Sequence, residues 1–419
     1  MKVSLKRLCV YCVFLFYLLE NHFYYLINVN NTILKYILFS MCLFIYIYVL
    51  ARLLSKNQKL VQKKQVLLYC YILIPVFLSC QFIYTKEVYS QGVVNFLKAS
   101  YHYAFVILTI PIYYIFSKEQ GITKFMNKLI DIVSVGLFLN IINSVMYNTT
   151  GRMILKITIR LRNESLRSNY ISSILGVVIV YTAWKIFHLK KYKKKDLINF
   201  IIQIIALVYC NQSRIIEVTV VLVIAMLILY KKKLTKKQLL VISVVAVVAI
   251  GGFTLGTVGD FFESFKIGGH YSGSTSSRIR EYYYYIDGFM SNKIFGLGLL
   301  ATESEVGNAV IRGPFGNNYP TDVGYIGALG NMGLSVIIPL CFFLYRVSCV
   351  VRKANRVENR SNEVIDLSVL CSCLLFYIVI SGITQIITDP VRILCLPFVL
   401  AIVEWTDTLL AKGIAEKSL

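Results

Sequence analysis

Acidic side chains are scarce in this chain: 21 Asp and Glu stand against 44 Lys and Arg among 419 residues. In a soluble protein the resulting charge of +23 would point to nucleic acid. Charge of either sign is scarce as well, 16% of residues against 57% hydrophobic, which excludes a soluble domain and places the chain among polytopic membrane proteins with no nucleic-acid partner. No small-residue cleavage site follows the basic N-terminus (Lys2, Lys6, Arg7), so the apolar run from Leu8 reads as a first membrane helix and not as a removed signal peptide. Cysteine is missing from the long polar stretch late in the chain. All 11 cysteines lie in or beside apolar segments, where they read as small packing residues and not as redox or metal centres.

What is present is a regular series of apolar segments. A bilayer core needs about 20 residues of helix, which predicts twelve spans near 8–27, 33–51, 66–84, 99–116, 129–147, 168–187, 197–212, 215–230, 238–255, 321–345, 366–386 and 391–406. The Lys and Arg sit in short runs between them. With a cytoplasmic N-terminus, 29 of these residues fall on the inner side and 15 on the outer. The positive-inside rule then predicts a cytoplasmic-membrane protein with both termini in the cytoplasm and an extracytoplasmic active site. The predicted fold class is an all-α polytopic membrane protein with about 12 transmembrane helices and one large extracytoplasmic loop between helices 9 and 10. Residues 1–255 are expected to hold helices 1–9 with a basic external segment at 148–167, residues 256–320 the catalytic and substrate loop, and residues 321–419 helices 10–12 and a cytoplasmic tail.

Three features stand out from this pattern. The first is the external segment 148–167, where Arg152, Lys156, Arg160, Arg162 and Arg167 oppose one acid, Glu164. Its interspersed Ile and Leu predict an amphipathic piece on the outer surface, holding either anionic headgroups or a specific phosphate. The second is the hairpin Leu197 to Tyr230, whose 34 residues span about 51 Å as helix where two crossings need about 60 Å. Its turn is expected to stop short of the outer surface, with Arg214 at the floor of a recessed cavity and Glu217 as its partner. The third is the segment from Thr321, where Gly324, Gly327, Gly330 and Gly333 recur every three residues and leave a bare helix flank for another helix or a substrate. Asp322 stands at its mouth.

The polar stretch from Gly256 to Pro320 is far longer than a turn between helices requires, which predicts that it carries function. It holds Arg278, Arg280, Arg312 and the run Tyr282 to Tyr285. Arginine presents a fixed fork of donors that matches phosphate oxygens, and tyrosine offers flat faces and hydroxyls suited to sugar rings. Together they predict a phosphorylated, sugar-bearing ligand. His270, flanked by Gly268, Gly269, Tyr271 and Gly273, reads as a loop residue.

The arrangement of Ser213-Arg214 at an outer turn, Ser277-Arg278 in the loop, Ile-Phe-Gly-Leu-Gly at Ile294 to Gly298, and Asp-x-Gly-Tyr-Ile-x-x-Leu-Gly-x-x-Gly at Asp322 to Gly333 resembles O-antigen and capsular polysaccharide polymerases of the Wzy type and the related O-antigen ligases. The architecture is similar over nearly the whole chain, while the motifs cover residues 211–215 and 276–333. The resemblance implies a metal-independent, inverting glycosyltransferase without cofactors. Its substrate would be an undecaprenyl diphosphate-linked oligosaccharide in the lipid bilayer, and its partners the flippase and chain-length regulator of the same pathway. On that resemblance Arg214 and Arg278 match the arginines thought to hold the diphosphate. Ligases carry a histidine where this chain has Asp322.

The expected catalytic residues are accordingly Asp322, Arg278 and Arg214, with Arg280, Arg160, Arg162, Arg312 and Tyr325 binding substrate and no metal. Asp322 is the expected base, and Glu303, Glu305, Asp260 and Glu281 are its rivals. A ligase-like transferase or a lipid-linked oligosaccharide flippase is the alternative, a membrane acyltransferase a third; internal repeats, which transporters tend to show, are not evident.

Overall fold

The computed structural model describes residues 5–23, 31–54, 64–118, 121–157, 161–162, 165–168, 170–189, 192–229, 272–357 and 361–415. The predicted span 238–255, Asp260, His270 and Arg160 lie outside the described residues.

The chain is an all-α, multi-pass membrane protein. Among the described residues, six helices are long and apolar enough to cross a bilayer: Ile33–Arg52, Lys64–Tyr89, Val93–Phe116, Gly121–Thr150, Gly324–Arg356 and Asn362–Ser381. We label the elements α1 (Leu5–Glu20), α2 (Asn31–Leu54), α3 (Lys64–Tyr89), α4 (Val93–Phe116), α5 (Gly121–Thr150), α6 (Ser172–Phe187), α7 (Lys194–Ile205, continued by a π-helical turn Ala206–Asn211) and α8 (Arg214–Leu229). After the undescribed stretch come α9 (Ser272–Ser291), α10 (Glu305–Arg312), α11 (Gly324–Met332), α12 (Ile337–Arg356), α13 (Asn362–Ser381) and α14 (Cys395–Ala415).

Lipid cannot hydrogen-bond an open backbone, so each apolar segment closes its own bonds as a helix. Their outward faces are apolar too: Leu43, Phe44 and Ile47 on α2, and Ile72, Val76 and Ile83 on α3, are exposed. Helix α6 is buried on all sides from Ser173 to Phe187 and forms the centre of the bundle. Gly176 makes room there, because a Cβ at that position would lie 1.7 Å from the hydroxyl of Tyr377 on α13.

Polar contacts collect at two ends of the bundle. At one end, Lys185 pairs with Asp196 at 2.6 Å, His188 with Asp366 at 2.7 Å, and Arg346 with Glu404 and Asp407 at 2.5 and 2.6 Å. At the other, Tyr17 donates to the Leu394 carbonyl, Ser173 donates to Asn21, and the thiol of Cys395 approaches the Ser173 carbonyl. The candidate site lies at this second end.

The structure corrects one boundary expectation. The segment expected to span 321–345 as one helix begins at Gly324, breaks through a 3₁₀ turn at Gly333–Val336 and runs on to Arg356. Gly333 makes the break with φ of +60°, a conformation that favours glycine. The basic segment after α5 has no helix in its described residues. Gly151 ends α5 at φ +70°, and the side-chain oxygen of Asn143 then accepts the N–H groups of Ile154 and Leu155 at 2.7 and 2.8 Å. That double bond turns the chain inward and buries Leu155 and Ile157. A short antiparallel ladder, β1 (Leu161–Arg162) with β2 (Ser165–Leu166), completes it.

Candidate active site

Helix α9 carries the site. Its residues Glu281, Tyr285 and Gly288 repeat at helical spacing and form its buried face, while Arg278, Arg280 and Tyr283 are exposed. The buried face lies against α11. A Cβ on Gly330 would sit 2.4 Å from the Tyr285 carbonyl oxygen, and one on Gly324, Gly327 or Gly333 would meet the backbone of Gly382, Pro320 or Ile294, so the bare flank is occupied by other parts of the chain.

The Ile294 to Gly298 segment fixes α9 in place. Its N–H groups at Leu297 and Gly298 donate to the carbonyls of Gly330 and Asn331 at 2.9 and 2.7 Å, and its Lys293 and Ile294 carbonyls accept from Leu334 and Ser335. These are the backbone groups freed where the helix breaks after Met332, so the loop satisfies what the break exposes. Gly296 and Gly298, at φ +59° and +92°, allow that approach.

Of the tyrosine run, Tyr284 and Tyr285 do not present hydroxyls to a ligand. They donate to the carbonyls of Val310 and Ile311 at 2.5 and 2.9 Å and hold the end of α10 against α9. Tyr283 remains open. Tyr325 likewise packs its ring against Gly382 and donates to the Val379 carbonyl at 3.1 Å, so the expected substrate contact is a tie between α11 and α13.

The segment after α10 folds back over α9. Arg280 donates to Asn317 at 3.2 Å and lies over the ring of Phe315, and Arg312 lies over Tyr319 at 4.9 Å. Tyr319 then joins the two carboxylates of interest: its N–H donates to Glu281 Oε1 at 3.3 Å, and its carbonyl accepts from the Asp322 N–H at 3.1 Å. Asp322 is exposed on the turn Pro320–Asp322, one residue before the 3₁₀ turn gives way to α11. Glu281 is 3% exposed and its Oε2 has no partner. Burial, and after it the nearby charge of Asp322, push the Glu281 carboxyl up to about 7, against the pull of Arg278 and Arg280.

The other rival bases sit apart from this pair. Glu303 pairs with Lys35 at 3.3 Å, and Glu305 opens α10. Arg162 lies in β1 and Arg214 is the first residue of α8; the side chains of both lie outside the described atoms. The turn before Arg214 is covered. Asn211 and Ser213 are buried, the Cys210 carbonyl accepts from Ser168 N–H at 2.8 Å, and Arg167 donates to the Asn211 carbonyl at 3.1 Å.

Two residues that the sequence reading missed complete the surroundings. Arg392, 2% exposed, lies on the connection between α13 and α14, stacks over Tyr377 at 5.1 Å and donates to the Gln385 carbonyl. Its Nη2 and the Oδ2 of Asp389 are enclosed without partners. Enclosure pushes the Asp389 carboxyl well above its usual range, Arg392 pulls it down, and Asp322 adds to the rise. The connection meets α11 directly, where Tyr325 N–H donates to the Gly382 carbonyl at 3.1 Å. Arg392 falls inside a predicted span; an arginine within an apolar run was the available signal.

Residues 197–341 match the family model described as O-antigen ligase. This matched segment holds most of α7, then α8, α9, the fixing loop, α10, α11 and the start of α12, and thus Arg214, Arg278, Arg280, Glu281, Arg312 and Asp322 together. Asp389 and Arg392 lie beyond it. No curated protein matches the chain.

Proposed function

We propose that this protein is a membrane glycosyltransferase that joins undecaprenyl diphosphate-linked oligosaccharide repeat units into a polysaccharide, on the outer face of the cytoplasmic membrane. The observation that carries the reading is the pairing, on one short helix and its neighbouring turn, of exposed Arg278 and Arg280 with the carboxylates Glu281 and Asp322. The O-antigen ligase family match over residues 197–341 supports the transfer of sugar chains, and the excess of Lys and Arg in the opposite connections supports the outer placement.

In this reading the acceptor hydroxyl oxygen attacks the anomeric carbon of the donor sugar. The bond from that carbon to the phosphate oxygen breaks, and its electron pair leaves with the diphosphate. Arg278, with Arg214 and Arg280, holds the charge that develops there. The hydroxyl proton passes to Asp322. One displacement gives inversion at the anomeric carbon.

The test is purified protein supplied with lipid-linked repeat units and a chelator. Formation of longer lipid-linked oligosaccharides, lost in Arg278→Ala, supports the proposal; a requirement for divalent metal contradicts the arginine-based mechanism. The family's description favours a second reading, a ligase that moves finished polymer to another acceptor. Cells lacking the protein would then accumulate long polymer on the carrier lipid, whereas loss of a polymerase leaves single repeat units displayed there. Repeat units trapped on the cytoplasmic face would instead indicate a flippase.

A further inference from the structure

Helix α3 has two working faces. On one, Gln81 bonds Leu299 and Ser335, Tyr84 donates to the Gly296 carbonyl at 3.1 Å, and Gln91, just past the helix end, accepts from Ala301. That face is tied to the segment that follows α9. The other borders a cavity of about 360 Å³ between α2, α3 and α4, walled by Phe39, Leu43, Ser79, Phe82, Leu97 and Ala104. Small side chains at Ser79 and Ala104 among large ones open this furrow. Its wall is apolar in effect, because the buried hydroxyl of Ser100, which also lines it, is spent on the Phe96 carbonyl at 2.8 Å. Leu43 and Leu97 are exposed on its rim, so the furrow opens to lipid.

A cation stands at the end of the furrow nearer the site. Lys35 precedes Phe39, Leu43 and Tyr46 at helical spacing on one face of α2. It lies 5.5 Å over the ring of Tyr101 on α4 and pairs at 3.3 Å with Glu303, in the stretch between the fixing loop and α10. From Lys35 to Tyr46 the helix rises about 16 Å, roughly half of a bilayer core of about 30 Å. The ion pair is partly exposed, a kind of pair that holds weakly. Glu303 meets the ammonium through one oxygen, and an ammonium carries three donors, so a phosphate can join or replace it. We propose that this furrow holds the isoprenoid chain of a polyprenyl diphosphate-linked donor, with Lys35 against the diphosphate. The proposal deepens the transferase reading and rests on it. A polyprenyl diphosphate has one chain and a compact anionic head, which matches a single furrow with a cation at its mouth; a phospholipid would have to leave its second chain outside. A chain lying in the furrow delivers its head beside Glu303, on the segment that Gln81 and Gln91 hold and that leads through α10 to Arg312.

The experiment has two arms. In the first, native mass spectrometry of the full-length protein in detergent follows the binding of undecaprenyl diphosphate in competition with phosphatidylglycerol. Ser79→Trp fills the furrow and is expected to weaken undecaprenyl diphosphate binding about tenfold or more, because the chain loses its apolar contacts. Lys35→Gln is expected to weaken the diphosphate but not uncharged undecaprenol. Ile37→Trp, which faces a different cavity on α2, is expected to change neither. Equal losses in Ser79→Trp and Ile37→Trp overturn the proposal. Displacement of undecaprenyl diphosphate by an equal amount of phosphatidylglycerol overturns it too, since the furrow then holds ordinary bilayer lipid. A benzophenone amino acid in place of Leu97 reads the same contact without filling the furrow: it is expected to crosslink undecaprenyl diphosphate where the same group in place of Ile37 does not, and no crosslink at Leu97 overturns the proposal. In the second arm, Ser79→Trp is expected to raise KM for lipid-linked repeat units about tenfold with kcat nearly unchanged. That difference should disappear for a donor with a short, water-soluble prenyl chain, and an unchanged KM for the full-length donor overturns the proposal. Absence of transfer by the unaltered protein counts against the transferase reading alone, because the binding arm decides the furrow without any activity.

Discussion

The side-chain amide of Gln81 donates to the Met332 carbonyl at 2.9 Å, at the point where α11 stops. The same side chain donates to Ser335 at 2.7 Å and accepts from the Leu299 N–H at 3.0 Å. Gln91 repeats the device one loop away, accepting from Ala301 N–H and donating to the Leu299 carbonyl at 2.9 and 3.0 Å. Two glutamines on and just after α3 thus hold the backbone that follows α9. Replacing Gln81 by Leu leaves the Leu299 N–H without its partner in an enclosed place and leaves the Met332 carbonyl only the Ser335 hydroxyl. The expected cost is about 1–3 kcal/mol for each enclosed group left unsatisfied. It is measured as a lower thermal midpoint in detergent, and an unchanged midpoint would show that water replaces the amide.

Arg278 and Arg280 stand two residues apart but are held differently. Arg280 is engaged with Asn317 and Phe315, while Arg278 faces Glu281 one helical turn on. Arg278→Ala is expected to lower the transfer rate about 10²- to 10³-fold, in the range seen when one charge-stabilising donor is removed. Arg278→Lys should recover little of it, because a point charge does not replace a two-pronged donor. Arg280→Ala is expected to raise KM more than it lowers kcat, since it also frees the 313–319 segment. The measurement is steady-state kinetics on lipid-linked repeat units; equal losses in the two variants would contradict the division of roles.

Much of this site could be read from the residues, and the parts that could not have a common physical cause. The apolar periodicity gave the helices. The three-residue glycine spacing showed that something approaches α11 closely, but not that the neighbour is α9; that depends on how two distant segments pack, which no local pattern records. Tyrosine composition pointed to sugar, whereas Tyr284 and Tyr285 spend their hydroxyls on carbonyls brought to them by α10. Asp389 and Arg392 were hidden for the same reason. Arg392 belongs to a span by hydropathy and Asp389 to the short gap before it, and only the tertiary fold brings their connection to the mouth of α11.

Glu281 predicts a pH dependence of stability. Its value in the folded protein, about 7, lies above the ordinary 4.5. A group raised in this way contributes stability that is fully present below about 4.5 and is lost as pH rises through about 7. The thermal midpoint of the parent protein is therefore expected to decline over that window and then level off, as far as this residue is concerned. Glu281→Gln cannot lose the proton and should flatten the decline. Parallel curves for the two proteins between pH 4.5 and 7 would show that the folded environment leaves Glu281 ionised throughout.

Arg392 is expected to be the most sensitive position outside the matched family segment. It is buried, and its guanidinium covers Tyr377, which in turn fills the space over Gly176 at the centre of the bundle. Arg392→Met keeps most of the volume but removes the charge that pulls the Asp389 carboxyl down. Asp389 must then stay protonated or sit enclosed as an uncompensated charge, a situation that costs about 3–5 kcal/mol when a buried partner is deleted. The loss should consequently grow as pH rises, and Asp389→Asn in the same chain should restore much of the thermal midpoint at high pH, since the amide carries no charge to compensate. Arg392→Lys should rescue the charge but not the stacking or the bond to Gln385, leaving it between the parent and Arg392→Met. If Asp389→Asn fails to rescue Arg392→Met at any pH, Arg392 acts through Tyr377 alone, and the α13–α14 connection is tied to the site by packing and not by charge.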